Sequence, residues 1–184
     1  MKFSFNPFPE LRTKNLILRK LRQTDLQDLY EMRKDPRVNL YIDNLVDREI
    51  SETADYLEKM NRGVDSEKWI IWGLELKSEV RLIGTISIWN FNKARDRGEL
   101  GYGLDFSYQH RGYMTEALEA VINYAFQTLK LKYLLAYTEI RNLPSISLLE
   151  RCGFQKTDEI EETGVLTNRL FRMAIYQLEN PNYE

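Results

Sequence analysis

The stretch from Gln109 to Met114 has the residue types of an anion-binding turn. It follows a strand-like run from Glu99 to Phe106 and precedes a segment with helical spacing of apolar residues. The start of a helix offers backbone N–H groups without an internal partner, together with the positive end of the helix dipole. Gly112 allows close approach of the backbone to a ligand, and Arg111 adds a positive charge. This combination favours a phosphate as the bound anion.

A turn of this kind also occurs in many proteins where it binds nothing, and on the turn alone that structural interpretation is the more frequent one. Two well-known phosphate sites are excluded. A Walker loop would need Gly-Lys-Ser or Gly-Lys-Thr at its end, and a Rossmann fingerprint would need three glycines at fixed spacing. Neither pattern follows the strand-like run.

Two spaced patterns in the chain favour a ligand-binding turn over a purely structural one. The first is Gln109-x-x-Gly112-x-Met114, ten residues after Glu99, and the second is Asn142-Leu-Pro-Ser followed by Gly153-Phe154. Together they resemble the acetyl-coenzyme A (acetyl-CoA) signature of the GCN5-related N-acetyltransferases, the GNAT superfamily. The resemblance runs from about residue 11 to 176 and is greatest to the ribosomal-protein N-terminal acetyltransferase branch, the RimJ/RimL type.

The resemblance implies an α/β fold, classed as α+β by some schemes. It predicts a mixed, centrally splayed sheet of about seven strands flanked by about four helices. We expect residues 1–184 to form a single N-acetyltransferase domain in which residues 1–14 are an N-terminal arm. The segment from Val38 to Val46 corresponds to a family region that often closes over the substrate.

The implied activity is transfer of an acetyl group from acetyl-CoA to a primary amine by direct attack in a ternary complex. The acceptor is the α-amine of a protein N-terminus, such as that of a ribosomal protein, or a small amine such as a polyamine, amino sugar or antibiotic. Transfer of another acyl group is an alternative within enzymes. The alternative outside enzymes is a non-catalytic module that binds coenzyme A (CoA) or another protein.

The resemblance also assigns residues to the cofactor. In the family, backbone groups of the turn bind the pyrophosphate, the pantetheine arm lies along the central strand, and an asparagine and a serine follow in the second pattern. The corresponding residues here are Tyr102, Gly103, Leu104, Gln109, His110, Arg111, Gly112, Tyr113, Met114, Asn142 and Ser145. Met114 replaces the usual glycine or alanine, and the alternative for Asn142 is an ordinary turn asparagine.

Glu99 and Ser145 are the candidate catalytic residues. A carboxylate at Glu99 could remove a proton from the amine directly or through a water, as a general base does. A solvated or salt-bridged Glu99, paired with Arg95 or Arg97, is an equally weighted alternative. Glu161 and Glu162 are weaker candidates for this role, and surface charge is the more frequent reason for carboxylates at such positions.

Ser145 matches a family serine that protonates the departing thiolate, and a helix-capping or first-turn hydroxyl is the alternative. Leu149 stands where many members carry a tyrosine that acts as the acid. This departure weakens a tyrosine-acid mechanism and strengthens the assignment to Ser145.

Composition excludes several partners. The 184 residues carry a net charge of −2, which gives no overall attraction to nucleic acid or to an anionic membrane. A single cysteine, Cys152, forms no internal disulfide, and this fits a cytoplasmic protein. No apolar run is long enough to span a bilayer. We expect no metal cofactor, no nucleic-acid or membrane partner, and either a monomer or a homodimer.

Local patterns predict the elements that position these residues. Thr24 or Asp25 is the expected cap of the first helix, and Gly63 the expected end of the second. Strands are predicted at 16–21, 69–76, 82–89, 99–106, 133–139, 154–161 and 167–177, and helices at about 26–34, 47–61, 114–129 and 144–153.

Overall fold

Eight segments of the chain pair into one mixed sheet in the computed structural model, which describes residues 3–183. The strands are β1 (Leu11–Arg12), β2 (Leu16–Arg19), β3 (Ile70–Leu76), β4 (Arg81–Trp89), β5 (Arg97–Leu104), β6 (Tyr133–Glu139), β7 (Gln155–Thr163) and β8 (Leu170–Glu179). Their order across the sheet is β1-β2-β3-β4-β5-β6-β8-β7. The predicted mixed α/β architecture is confirmed, and the strand beyond the expected seven is the short β1.

Four α-helices cover the sheet in the described residues. They are α1 (Leu26–Arg33), α2 (Ile50–Asp65), α3 (Tyr113–Gln127) and α4 (Leu143–Arg151). The longest apolar stripe predicted from the sequence lies on α3. Ala117, Leu118, Val121 and Ala125 of that stripe are fully buried, so this helix packs along the centre of the sheet.

The N-terminal arm is a packed part of the fold. Phe3 and Phe5 are buried in the main apolar core, and the Trp72 indole donates a hydrogen bond to the carbonyl oxygen of Pro9 over 2.7 Å. Residues 11–12 of the arm pair with β2 as β1. The described part of the predicted arm, residues 3–14, thus contributes aromatic side chains to the core and a short strand to the sheet, and residues 1 and 2 lie outside the described residues.

The predicted end of α2 at Gly63 is wrong, because the helix continues to Asp65. A Cβ atom at Gly63 would lie only 1.9 Å from the Trp69 ring. This glycine therefore makes room for an indole instead of ending the helix. The predicted start at residue 47 is also wrong, since α2 begins at Ile50 and Asp47 pairs instead with Arg33, its Oδ2 2.6 Å from Nε.

Asp25 is the N-cap residue of α1, as predicted, but its side chain makes no capping hydrogen bond to that helix. A short 3₁₀ turn from Gln23 to Asp25 precedes α1, and the Asp25 carboxylate accepts a hydrogen bond from the Arg22 N–H at the start of this turn over 2.7 Å. The same carboxylate forms a two-bonded ion pair with Arg19, both distances being 2.8 Å. Asp25 is buried, so its charge is compensated within the fold.

The sheet opens at its centre, as predicted. Parallel pairing of β5 with β6 covers only residues 97–100 and 133–136. Beyond that point β5 remains paired with β4 and β6 with β8. The edge of residues 101–104 that faces β6 thus lacks a strand partner, and its backbone groups need another one.

The register assigns the important side chains to opposite faces of the sheet. The Trp72 ring packs on Tyr124 of α3, with 5.4 Å between the ring centroids. Across the strands, Trp72 pairs with Ile86, and Ile86 pairs with Tyr102. Tyr102 therefore shares the face covered by α3. Glu99, three residues earlier on β5, lies on the other face opposite Trp89 of β4.

Candidate active site

A cleft of about 770 Å³ lies next to the opening between β5 and β6. The segment after α1, the outer half of β5, the turn before α3 and the first turn of α4 form its walls. All predicted cofactor-binding residues except Arg111 line it, namely Tyr102, Gly103, Leu104, Gln109, His110, Gly112, Tyr113, Met114, Asn142 and Ser145. The two sequence patterns thus meet in one space.

The turn before α3 has the backbone shape that an anion site requires. Gly112 precedes the first residue of α3 with φ of +82°, and His110 also has a positive φ of 60°. A Cβ atom at Gly112 would meet nothing within 4 Å, so the space above this residue is open. The first N–H groups of α3 have no intrahelical partner. Gln109 completes the turn by donating from its side chain to the Leu104 carbonyl oxygen over 3.2 Å.

The predicted role of the Arg111 side chain is not supported by its position. Its guanidinium lies 5.4 Å from the centroid of the Tyr108 ring, outside the residues that line the cleft. Two other cations line the cleft instead, Arg37 and Arg151. Neither residue was predicted, and Arg37 comes from a segment 60 residues before the start of β5 whose local pattern indicates no ligand.

The open half of β5 offers an extended edge. A Cβ atom at Gly103 would meet nothing within 4 Å, in contrast to Gly84 on the neighbouring strand, where the Gly103 carbonyl oxygen is only 2.6 Å away. Extended chains with amide groups pair with such an edge in the way that a strand joins a sheet. The pantetheine arm of CoA carries two amides, so this wall fits that group.

Asn142 and Ser145 share the first turn of α4. Asn142 is the N-cap, and its Oδ1 accepts a hydrogen bond from the Ser145 N–H over 3.3 Å. The capping oxygen therefore belongs to Asn142, and the Ser145 hydroxyl is available for another contact. That contact is with Tyr102, whose hydroxyl oxygen lies 2.6 Å from Ser145 Oγ.

Burial changes the acidity of this pair. Removal from water raises the pKa of Tyr102 to about 12, because the phenolate is the charged form and burial disfavours it. Ser145 is itself buried. Leu149, at the position of the family's tyrosine acid, is fully buried in the core.

Glu99 lies on the other face of the sheet and is half-buried. Its carboxylate accepts a hydrogen bond from Asn90 Nδ2 over 2.6 Å. Burial raises the pKa of Glu99, and nearby Glu162 acts in the same direction, whereas Asn90 and Arg97 act against it. A carboxylate with a raised pKa is a better proton acceptor at neutral pH.

The proposed salt-bridge alternative for Glu99 finds no support in residues 3–183. Arg95 lies over the Phe3 ring at 5.0 Å and donates to the Glu67 carbonyl oxygen over 3.3 Å. Arg97 affects the pKa of Glu99 only through its charge. Of the two weaker candidates, Glu161 pairs with Arg172 over 3.6 Å at the surface.

The segment from Val38 to Val46, part of which lines the cleft, is hydrogen-bonded to the turn between β7 and β8. Asp43 accepts hydrogen bonds from Leu166 N (3.1 Å), Thr167 N (2.9 Å) and Thr167 Oγ1 (2.8 Å) in the turn between β7 and β8. Arg169 donates to the Leu40 carbonyl oxygen over 3.1 Å. This connection was not predicted, because it joins residues more than 120 positions apart.

Three further findings concern the described residues. Within the described range, no group of three or more His, Cys, Asp or Glu residues is arranged to hold a metal ion. Between residues 3 and 183, no helix has the length and apolar character needed to cross a bilayer. Burial raises the pKa of the Cys152 thiol, so it is a poor nucleophile at neutral pH.

Comparison with known proteins agrees with this architecture. A model of the family described as "Acetyltransferase (GNAT) domain" matches residues 15–155. The chain is 27% identical over 173 residues to the "Uncharacterized N-acetyltransferase p20" of Bacillus licheniformis, covering 94% of this chain and 97% of that protein. It is 32% identical over 135 residues to the "Probable N-acetyltransferase YjcK" of Bacillus subtilis (strain 168), covering 73% and 71%.

Solved structures share the fold. A GNAT acetyltransferase from Bacillus anthracis has a TM-score of 0.83 with 23% identity, covering 94% of this chain and 99% of that one. The ribosomal-protein-S5-alanine acetyltransferase of Vibrio fischeri has 0.82 with 19% identity, covering 96% and 99%. The spermidine N-acetyltransferase of Vibrio cholerae, solved with CoA and spermine, has 0.80 with 18% identity, covering 93% and 99%.

The opening between β5 and β6, the Gly112 turn before α3 and these matches together indicate an acyl-transferring enzyme of the N-acetyltransferase class. The chain belongs to the GNAT family, as its sequence pattern predicted. Its activity is acetyl-CoA-dependent N-acetylation, the activity by which this family is named.

Proposed function

We propose that the cleft beside the β5–β6 opening binds acetyl-CoA and that the enzyme acetylates the α-amine of a protein N-terminus. The observation that carries the proposal is the meeting of a free strand edge at residues 101–104 with a glycine turn at the start of α3. The first fits an amide-containing arm and the second an anion, and CoA contains both.

Acetyl-CoA, when bound, supplies an acetyl group activated as a thioester. The N–H groups at the start of α3 hold its diphosphate, because Gly112 leaves the approach open. The unpaired edge of β5 orients its amide-containing arm. Asn142 Nδ2 remains able to donate to that arm, since Oδ1 caps α4.

Two groups on opposite faces of the sheet assist the transfer, one by accepting a proton and the other by donating a hydrogen bond. Glu99 accepts the proton of the attacking amine, directly or through a water, and its raised pKa suits this task. Ser145 Oγ donates to the sulfur that departs, from the face covered by α3 and α4. Because a thiol has a pKa of about 8.5, the departing thiolate needs only modest stabilisation.

The likeness to the ribosomal-protein-S5-alanine acetyltransferase supports an N-terminal α-amine as the acceptor. Such an amine has a pKa of about 8, so a useful fraction is unprotonated at neutral pH and a weak base suffices. The cleft is also open along the segment after α1, where Leu40 and Tyr41 line it. An extended peptide end fits an approach of this kind.

A small polycationic amine is the second candidate, and one observation favours it. Glu162 lies near enough to Glu99 to raise its pKa, so negative charge collects at the acceptor side. A spermidine N-acetyltransferase is among the structures that share the fold. A cationic amine would gain from both carboxylates.

Thiol release from acetyl-CoA tests the proposal directly. The panel consists of short peptides with a free α-amine, the same peptides blocked at the N-terminus but carrying lysine, a polyamine and an amino sugar. We expect release with the free peptides above the blocked ones. Preference for the polyamine would support the second candidate. Tight CoA binding without release for any amine would indicate a non-catalytic module.

A further inference from the structure

Tyr102 makes a contact that the mechanism above does not use. Its hydroxyl lies 2.6 Å from Ser145 Oγ, and this bond crosses from β5 to the first turn of α4. Both residues line the cleft. This bond joins two walls of the cleft and involves the Ser145 hydroxyl, which we propose donates to the CoA sulfur. It therefore calls for a functional explanation.

The direction of this hydrogen bond follows from acidity. A phenol with an ordinary pKa near 10 is a far better donor than an alkyl hydroxyl. Either hydroxyl could donate across this distance, and on the ground of acidity we assign Tyr102 as the donor and Ser145 Oγ as the acceptor. Because Ser145 has only one hydrogen, accepting from Tyr102 leaves that hydrogen free to donate elsewhere. The Ser145 backbone N–H is occupied by Asn142 Oδ1, so the first turn of α4 is fixed as well.

We propose that Tyr102 is a positioning residue that orients the Ser145 hydroxyl so that its hydrogen is donated into the cleft, to the sulfur of CoA. This inference rests on the proposed function and adds a residue to the same site. The proton stays on Ser145 Oγ, and the effect of Tyr102 is to hold and polarise that group, since linked hydrogen bonds strengthen one another.

Direct protonation of the sulfur by Tyr102 is the less favourable arrangement. Burial raises the pKa of Tyr102 to about 12, whereas a free thiol has a pKa of about 8.5. A proton would have to move uphill by about 3.5 pKa units. The phenol thus keeps its proton at neutral pH and can remain a donor to Ser145.

The test compares CoA with desulfo-CoA, which lacks the thiol, by calorimetry at pH 6.5 and 9.5. Other titratable or charged groups face the cleft or the pair, namely Arg37, Tyr41, His110, Tyr113, Arg151 and Cys152. Their effects on the parts that the two ligands share cancel in the ratio of the two affinities, and their effects on the thiolate remain the same in every variant, so the comparison between variants isolates the Tyr102–Ser145 pair. What remains is the interaction of the protein with the thiolate.

In the wild type we expect the affinity ratio of CoA to desulfo-CoA to rise about tenfold between the two pH values, the order expected for one hydrogen bond to a charged sulfur. In Tyr102→Phe and in Ser145→Ala the rise should be about twofold or less. The double variant should match Ser145→Ala, because the two residues act in series.

Tyr124→Phe is the matched control. It also removes a buried hydroxyl whose pKa burial raises to about 12, but this ring packs on Trp72 in the core. Its affinity ratio should rise as in the wild type, and melting curves of all variants check the fold. The inference would be overturned if the affinity ratio in Tyr102→Phe rose with pH as much as in the wild type, or if it did not rise in the wild type. Failure of the wild type to bind either ligand would instead overturn the proposed function.

Discussion

At the scale of single residues, the environment of Glu99 decides what its carboxylate can do. Its position at the start of the central strand made Glu99 the first candidate for the base among many carboxylates. It did not reveal Asn90 as its hydrogen-bond partner, and it gave equal weight to ion pairs that the described residues do not form. The partner depends on the path of the chain just after β4, where Asn90 lies, and spacing along β5 does not contain this information.

The first prediction concerns catalysis by Glu99. Glu99→Gln keeps the shape and removes the proton acceptor, so turnover at neutral pH should fall by about 10²–10⁴. The loss should shrink as pH rises through the pKa of the amine, because free amine then forms without help. A pH–rate profile checks this, and acetyl-CoA affinity should stay unchanged. A uniform loss, parallel to the wild type at every pH, would remove Glu99 from the role of base.

The second prediction concerns stability at the same residue. The pKa of Glu99 is raised in the folded state by burial, so the folded protein binds its proton more tightly than the unfolded chain. Its contribution is therefore favourable below its ordinary pKa of about 4.3 and is lost as pH rises through the folded value. Glu99→Gln should melt at a higher temperature than the wild type at pH 7, with the difference vanishing near pH 4. A lower melting temperature at pH 7 would contradict this.

At the scale of elements, the turn before α3 was predictable because a strand, a glycine and an apolar stripe follow one another in the sequence. The end of α2 was not, because Gly63 is required by the indole of Trp69, which packs into the space a Cβ would fill. Glycine alone does not distinguish these two uses. The deciding contact comes from a neighbouring element.

The third prediction tests the turn. Gly112→Ala places a side chain where φ is +82°, so the turn must shift, and CoA affinity should fall about tenfold, the order of one lost charge-assisted hydrogen bond. Gly153→Ala is the matched control, because it has a similar φ of +88° at the end of α4 and lies outside the cleft. Calorimetry should show its CoA affinity unchanged. Equal losses in the two variants would mean that strain, and not the site, is responsible.

The fourth prediction tests the segment from Val38 to Val46, which follows α1 and is hydrogen-bonded to the turn between β7 and β8. Asp43→Ala removes three hydrogen bonds to the turn between β7 and β8. Since Leu40 and Tyr41 of this segment line the cleft, the KM for the amine should rise several-fold while acetyl-CoA affinity stays the same. Asp65→Ala, which breaks an exposed pair with Lys20, is the control for loss of one charge. An unchanged KM would show that the segment does not shape the acceptor site.

At the scale of the whole molecule, the central opening is the feature that brings the separate patterns together. The family resemblance implied this opening, and the order of elements predicted only the parallel crossover between the two strands beside it. The connections that stabilise it were beyond prediction. Asn15 binds Glu116 across 101 positions and Asp43 binds Thr167 across 124, and such pairs depend on packing of the complete chain.

A second cleft is the alternative site for CoA. It has about 520 Å³ and lies between α3 and the C-terminal segment, with Glu119, Asn123, Cys152 and Asn180 among its walls. It contains neither the glycine turn nor the free strand edge. A ligand that favoured this cleft would bind without the groups to which we assign acetyl-CoA.

Hydrogen exchange with and without CoA, followed by mass spectrometry, distinguishes the two clefts most directly. We predict slower exchange on CoA binding in residues 101–104 and 112–115, because their free N–H groups acquire partners, and a smaller effect at 142–145. Exchange near residues 119–127 and 180–182 should not change. Protection confined to those last two segments, or none at saturating CoA, would contradict the central claim that the opening between β5 and β6 holds the acetyl donor.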